Sequence, residues 1–81
     1  MIKVTIKCFS QVKYALGTDE LTLEFEMGKT TSQLEQLIRE KAHAKLDGIS
    51  LRVGINQKYI TNETELMNGD EVAFIPPVQG G

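Results

Sequence analysis

The sequence predicts an α+β fold in which one mixed β-sheet curls over a single main helix. Three segments alternate apolar and polar residues with the period of two that is typical of half-buried strands. One segment between them has the spacing of an amphipathic helix. Each strand has one apolar side and the helix has one apolar stripe, so packing the stripe against the sheet buries both.

The N-terminal third predicts a β-hairpin. Residues 2–8 alternate apolar and polar side chains, and Phe9 falls on the opposite side of this strand, beside its lysines. Residues 10–16 fit a short helical turn that Gly17 ends. A second alternating strand covers residues 21–25. The short connection between the two strands predicts that they pair.

The main helix is predicted after a run of hydroxyl residues. Ser32 and Glu35 have the spacing of a capping box, in which each side chain satisfies a backbone N–H group of the first turn. Apolar residues continue at helical spacing from Leu34 to Leu46. Gly48 follows as a stop signal, so the helix is expected to extend close to it.

The C-terminal half predicts three further strands. Residues 51–55 alternate, residues 56–58 form a turn, and residues 59–60 form a short return strand. Asn-Gly-Asp at 68–70 is a sharp turn before a last strand at 71–75. A helical crossover within one sheet favours a right-handed parallel relation. This order of elements is that of the β-grasp fold, the architecture of ubiquitin.

Length and composition restrict the classes of function. The chain of 81 residues predicts one domain, which we place at residues 1–75, with a flexible C-terminal tail at 76–81. A net charge of −2 argues against a nucleic-acid partner. No apolar stretch is long enough for a membrane span, and no signal-peptide pattern precedes the first strand. One cysteine cannot form an internal disulfide, so a cytoplasmic protein is expected.

The body of the chain offers little catalytic chemistry. His43 fits a solvated helix position, and Cys8 falls in the apolar register of the first strand, where a thiol packs as a small hydrophobe. No Cys and His cluster has metal-ligand spacing, so neither a metal nor a bound cofactor is expected. Four acidic residues near the last strand fit a solvated loop or, alternatively, a docking surface for a basic partner. These are Glu63, Glu65, Asp70 and Glu71.

The chain ends on Gly80-Gly81, directly after a Pro pair that follows the last strand. Pro76 and Pro77 fix φ and lack N–H groups, so the sheet cannot continue through them. Two residues without side chains can thread a narrow channel. The reactive group of such a tail is its terminal carboxylate. Activation with AMP makes that carboxylate an electrophile, and attack by sulfur gives a thiocarboxylate, whereas attack by a lysine gives a protein conjugate.

The ending resembles that of the molybdopterin synthase small subunit family. The resemblance rests on Gly-Asp-Glu-Val at 69–72, Pro-Pro at 76–77 and the terminal Gly-Gly, at fixed spacing. It extends over the whole chain, since residues 2–9 look like the first strand of that family and 53–59 look like its hairpin. The family consists of β-grasp sulfur carriers.

The resemblance implies a consumed co-substrate rather than an enzyme that is active alone. Gly81 would be adenylated with ATP by an adenylyltransferase similar to the ubiquitin-activating class, and then converted to a thiocarboxylate. The tail, with Gly80, would enter the large subunit of molybdopterin synthase, in a heterotetramer of two small and two large subunits, and give sulfur to cyclic pyranopterin monophosphate. The residues expected to contact partners are Phe9, Phe74, Ile75, Pro76 and Pro77.

Two other interpretations stay open. The chain could carry sulfur for thiamine synthesis or for tRNA thiolation, although carriers of the thiamine type are usually shorter and lack Pro-Pro. It could also be a ubiquitin-like protein modifier. Attachment of the C-terminus to lysines of other proteins would distinguish a modifier from a sulfur carrier.

Overall fold

A computed structural model describes residues 1–77 and has the predicted β-grasp architecture. Its elements are β1 (Ile2–Cys8), α1 (Ser10–Leu16), β2 (Glu20–Phe25), α2 (Thr31–Lys41), β3 (Arg52–Ile55), β4 (Lys58–Ile60) and β5 (Glu71–Ile75). One sheet has the order β2-β1-β5-β3-β4. Strands β1 and β5 are parallel, and the other neighbouring pairs are antiparallel. No helix in the described part of the chain is long and apolar enough to cross a membrane.

The core lies between α2 and one face of the sheet, here called the inner face. Alternate residues of β1 and β5 point into it and are buried, whereas their neighbours are more exposed. Helix α2 contributes Leu34 and Ile38. Cys8 is buried in the same core, as its register predicted. The opposite, outer face of the sheet carries the remaining side chains of each strand, since successive residues point to opposite sides.

Two details of the main helix differ from the prediction. Thr30 is the N-cap, with Gln33 as its capping-box partner, instead of Ser32 with Glu35. Both pairs have the same spacing, but the backbone of Thr30 also bridges to Glu65, which places the start of α2 there.

The helix also ends earlier than its apolar stripe. Helix α2 stops at Lys41, because His43 and Ala44 have left-handed φ angles of 51° and 71°. The buried positions nevertheless continue to Leu46. Arg39 holds this non-helical segment, since its guanidinium donates to the carbonyl oxygens of Leu46 at 2.7 Å and Ile49 at 2.6 Å.

The start of β5 is fixed by side-chain hydrogen bonds. Asn56, in the two-residue turn between β3 and β4, donates to Asp70 Oδ1 at 3.1 Å and accepts from the Glu71 N–H at 3.0 Å. The other carboxylate oxygen of Asp70 accepts from the Met67 N–H at 2.8 Å. These bonds orient the strand that leads to the C-terminal tail, and they give Asp70 a structural role.

Candidate docking face and C-terminal tail

The strand registers place one row of side chains across the outer face. Glu20 on β2 lies opposite Lys7 on β1, and Lys7 lies opposite Ala73 on β5. Ala73 in turn pairs with Gly54 on β3, and Gly54 pairs with Tyr59 on β4. The two smallest residues of the row therefore lie side by side, with larger side chains around them.

This arrangement forms a surface depression that we call the outer groove, with a volume of about 740 Å³. Ala73 and Gly54 line its middle, and Phe9, Ile75 and Tyr59 are the larger apolar side chains around them. Phe9 and Tyr59 are 48% and 64% exposed. Exposed aromatic side chains around a depression are typical of protein-binding surfaces.

The residues predicted to contact partners divide between the two faces. Phe9 is on the outer face, as its register predicted, and Ile75 also lines the outer groove. Phe74 is 0% exposed and packs in the core, because adjacent strand residues point to opposite faces; the expectation that its side chain is available to a partner is therefore wrong. Pro76 is buried as well, whereas Pro77 is exposed.

Sequence reasoning missed Tyr59 and Arg52. The Arg52 guanidinium lies 5.6 Å from the centroid of the Tyr59 ring, within the range of a cation–π contact. The sequence signal was available, because Tyr59 is an aromatic residue whose side chain must point away from that of its strand neighbour Ile60. The pairing of β4 with β3 was required to show that this side is the one occupied by Phe9 and Ile75.

Two lysine–glutamate pairs join β1 and β2 on the outer face. Lys7 Nζ donates to Glu20 Oε1, and their side chains are 35% and 48% exposed. Lys3 Nζ lies 3.8 Å from Glu24 Oε1, and this pair is more open, at 65% and 57% exposed. The hydrogen bond to Glu20, with that carboxylate's charge, raises the pKa of Lys7 above 10.5.

Other residues considered for chemistry are buried, distant from the outer groove or already hydrogen-bonded. The Cys8 side chain is buried, and desolvation raises the pKa of its thiol, which favours the unreactive protonated form. His43 is exposed beyond the end of α2. Glu63 accepts a hydrogen bond from the Thr30 hydroxyl at 2.6 Å. Within residues 1–77, no three His, Cys, Asp or Glu side chains are grouped as a metal site.

The tail begins at the same end of the sheet as the aromatic edge of the groove. Strand β5 ends at Ile75, which pairs with Arg52, and Phe9 follows β1 at that end. The chain thus leaves the body beside Phe9 and Ile75. The two terminal glycines, Gly80 and Gly81, lie outside the described residues.

Comparison with known sequences gives consistent matches over nearly the whole chain. The model of the ThiS family matches residues 6–81. The molybdopterin synthase sulfur carrier subunit of Haemophilus influenzae is 36% identical over 75 residues, which covers 90% of this chain and 93% of that protein. The protein of the same name from Escherichia coli is 35% identical, with all of both chains covered.

Solved structures give the same result for the fold. Putative molybdopterin converting factor subunit 1 of Pyrococcus furiosus has a TM-score of 0.83 at 26% identity, covering 96% of this chain and 100% of the other. The small archaeal modifier protein 1 of Methanosarcina acetivorans has a TM-score of 0.77 at 27% identity, covering 100% and 98%. A complex of subunits 1 and 2 of molybdopterin-converting factor from Helicobacter pylori has a TM-score of 0.70 at 22% identity, covering 99% and 100%.

Proposed function

We propose that this chain carries sulfur on its C-terminus for molybdopterin synthesis. The chain belongs to the ThiS family, and it resembles the molybdopterin synthase sulfur carrier subunits. The observation that carries the proposal is the place where β5 ends, just before the ending of the sequence. In the sequence, Pro-Pro and then Gly-Gly follow β5, and β5 ends at the half-buried Ile75, beside the exposed Phe9. The ThiS family match includes this ending.

The chemistry starts at the Gly81 carboxylate. An oxygen of this group attacks the α-phosphorus of ATP on an activating enzyme, which releases pyrophosphate and leaves an acyl-adenylate. Hydrosulfide from the sulfur donor then attacks the acyl carbon, the bond to the phosphate oxygen breaks and AMP leaves, which gives the thiocarboxylate and releases a proton. Transfer of that sulfur to cyclic pyranopterin monophosphate and hydrolysis restore the carboxylate. Two carriers are consumed per product, because the dithiolene contains two sulfurs.

The body serves recognition in this scheme. The outer groove and Phe9 dock first on the activating enzyme and later on the large synthase subunit, in an assembly of two small and two large subunits. Gly80 lets the tail pass close to the backbone of each partner, because it has no Cβ. The ATP-dependent step and the reduced Cys8 suit the cytoplasm, where thiols are kept reduced.

The first test is intact mass spectrometry. The purified chain is incubated with ATP, a cognate activating enzyme and a sulfur donor, and the expected product is heavier by the replacement of one oxygen with sulfur. A chain that lacks Gly81, and one extended by a single alanine, serve as controls. Both should stay unmodified and keep the wild-type unfolding temperature, since terminal residues contribute little burial. Full modification of the extended chain would contradict the proposal.

The second test separates a co-substrate from a catalyst. A chemically prepared thiocarboxylate form, mixed with the large subunit and the pyranopterin precursor, should yield product without ATP. The yield should stop in proportion to the carrier supplied. Continued turnover from a trace of carrier, with no activating enzyme present, would show that the chain is not consumed.

A second candidate function is protein modification, which the resemblance to the M. acetivorans modifier protein favours. Here a lysine amine of a target attacks the activated Gly81, giving an isopeptide bond instead of a thiocarboxylate. Mass spectrometry of trypsin-digested host proteins would detect target lysines that carry the C-terminal peptide of this chain. Such conjugates, lost on deletion of Gly81, would establish this function beside or in place of sulfur transfer.

A further inference from the structure

The lining of the outer groove includes charged side chains, and one of them, Lys7, lies next to its smallest residues. Lys7 is the neighbour of Ala73 in the row that crosses the sheet, so its side chain stands beside the smallest residues of the groove. Lys7 and Phe9 are two residues apart and both line the groove, so a protein that covers Phe9 and Ala73 also covers Lys7. The ammonium group then loses water, which is costly unless other oxygen atoms replace that water.

Lys7 is only partly satisfied within the chain. An ammonium group has three N–H donors, and Glu20 accepts one of them. The remaining donors face water in the free protein and need acceptors in a complex. The charge of Lys7, by contrast, is already balanced, since Glu20 is bound to it and Glu71 and Asp19 also favour its charged form. The lining of the groove as a whole is also balanced, with Lys7, Lys13 and Lys58 against Asp19, Glu20 and Glu71, so a further carboxylate would bring uncompensated negative charge.

We propose that Lys7, held in place by Glu20, is a specificity-determining residue of the docking face. It selects partner proteins that present neutral oxygen acceptors, such as main-chain carbonyls, above the middle of the outer groove. It rejects surfaces that are apolar throughout, because these would bury two N–H donors without partners. The inference rests on the proposed function, since it concerns the partners that recognise the sulfur carrier.

The test compares two lysines of the same strand. Lys7→Met keeps an apolar side chain of similar length without the charge, and Lys3→Met is the matched control, because the Lys3–Glu24 pair spans the same two strands but is more exposed and outside the groove. Affinity for the large synthase subunit is measured by titration calorimetry. Lys7→Met should weaken binding about tenfold or more, and Lys3→Met less than about twofold. Lys7→Arg, which keeps a charged donor, should recover most of the affinity.

Salt dependence tests the kind of acceptor. If the partner supplies neutral oxygens, the affinity ratio between wild type and Lys7→Met stays the same in low and high salt. A ratio that collapses in high salt would indicate a partner carboxylate and overturn the neutral-acceptor assignment. Unchanged or tighter binding by a folded Lys7→Met chain would overturn the role of Lys7 itself. If wild-type chain does not bind the large subunit at all, the proposed function fails instead, so the two failures are distinguishable.

Discussion

Substitution of Phe9 by aspartate should separate docking from folding. The Phe9 ring is 48% exposed, and a fully covered aromatic side chain buries roughly 150–250 Å², so docking can cover roughly 100 Å² of it. At ~25 cal/mol per Å², this area stabilises a complex by ~2.5 kcal/mol, or nearly a hundredfold in Kd. An aspartate loses this contribution and brings a charge to be desolvated, so the loss of affinity should be at least of this size.

The effect on folding should be smaller than the effect on docking. At the same ~25 cal/mol per Å², the buried half of the residue, also roughly 100 Å², contributes ~2.5 kcal/mol to the free energy of unfolding. Phe9 is also the N-cap of α1 and makes no side-chain cap hydrogen bond, whereas aspartate is a preferred N-cap residue that contributes about 0.5–1 kcal/mol. The cap offsets part of the lost burial, so the unfolding free energy should fall by about 1.5–2 kcal/mol, which leaves the chain folded.

Two measurements on the same samples decide the question. Urea unfolding followed by circular dichroism gives the stability, and titration calorimetry with the large synthase subunit gives the affinity. Tyr14→Asp is the control, because Tyr14 is 81% exposed on α1 and does not line the outer groove. The reasoning is refuted if folded Phe9→Asp binds like wild type, or if it unfolds while Tyr14→Asp does not.

The other predictions concern the groove, the helix end and the thiol. Ala73→Leu fills the outer groove and should weaken large-subunit binding about tenfold with little change in urea unfolding, whereas normal binding would exclude this surface. Arg39→Met removes two hydrogen bonds to carbonyl oxygens and should lower the unfolding free energy by about 2 kcal/mol, whereas exposed Lys41→Met should have almost no effect. The raised pKa of Cys8 predicts that its contribution to stability falls as pH rises above the ordinary thiol value of 9.0, because the unfolded thiol ionises first; Cys8→Ala should reduce this alkaline loss in pH-dependent urea unfolding.

Local patterns in the sequence were sufficient for the strands, the fold class and the faces of most residues. Alternation alone assigned Cys8 to the core and Phe9 to the opposite side, because the period of a strand is fixed by its backbone. The prediction for Phe74 failed because the same alternation was not applied to it. It was assigned to a partner surface by resemblance, although its neighbour Ile75 is the residue of that pair that faces outward.

The sequence by itself determined which residues alternate and where the chain turns. Only the tertiary structure decided between the two capping boxes, since the bridge from Thr30 to Glu65 joins segments far apart in the chain. It also decided where α2 ends, because Leu46 keeps helical spacing while Arg39 holds its carbonyl in a non-helical loop. The outer groove could be recognised only from the paired sheet. Strand order and register decide that Lys7 and Tyr59 lie on one row.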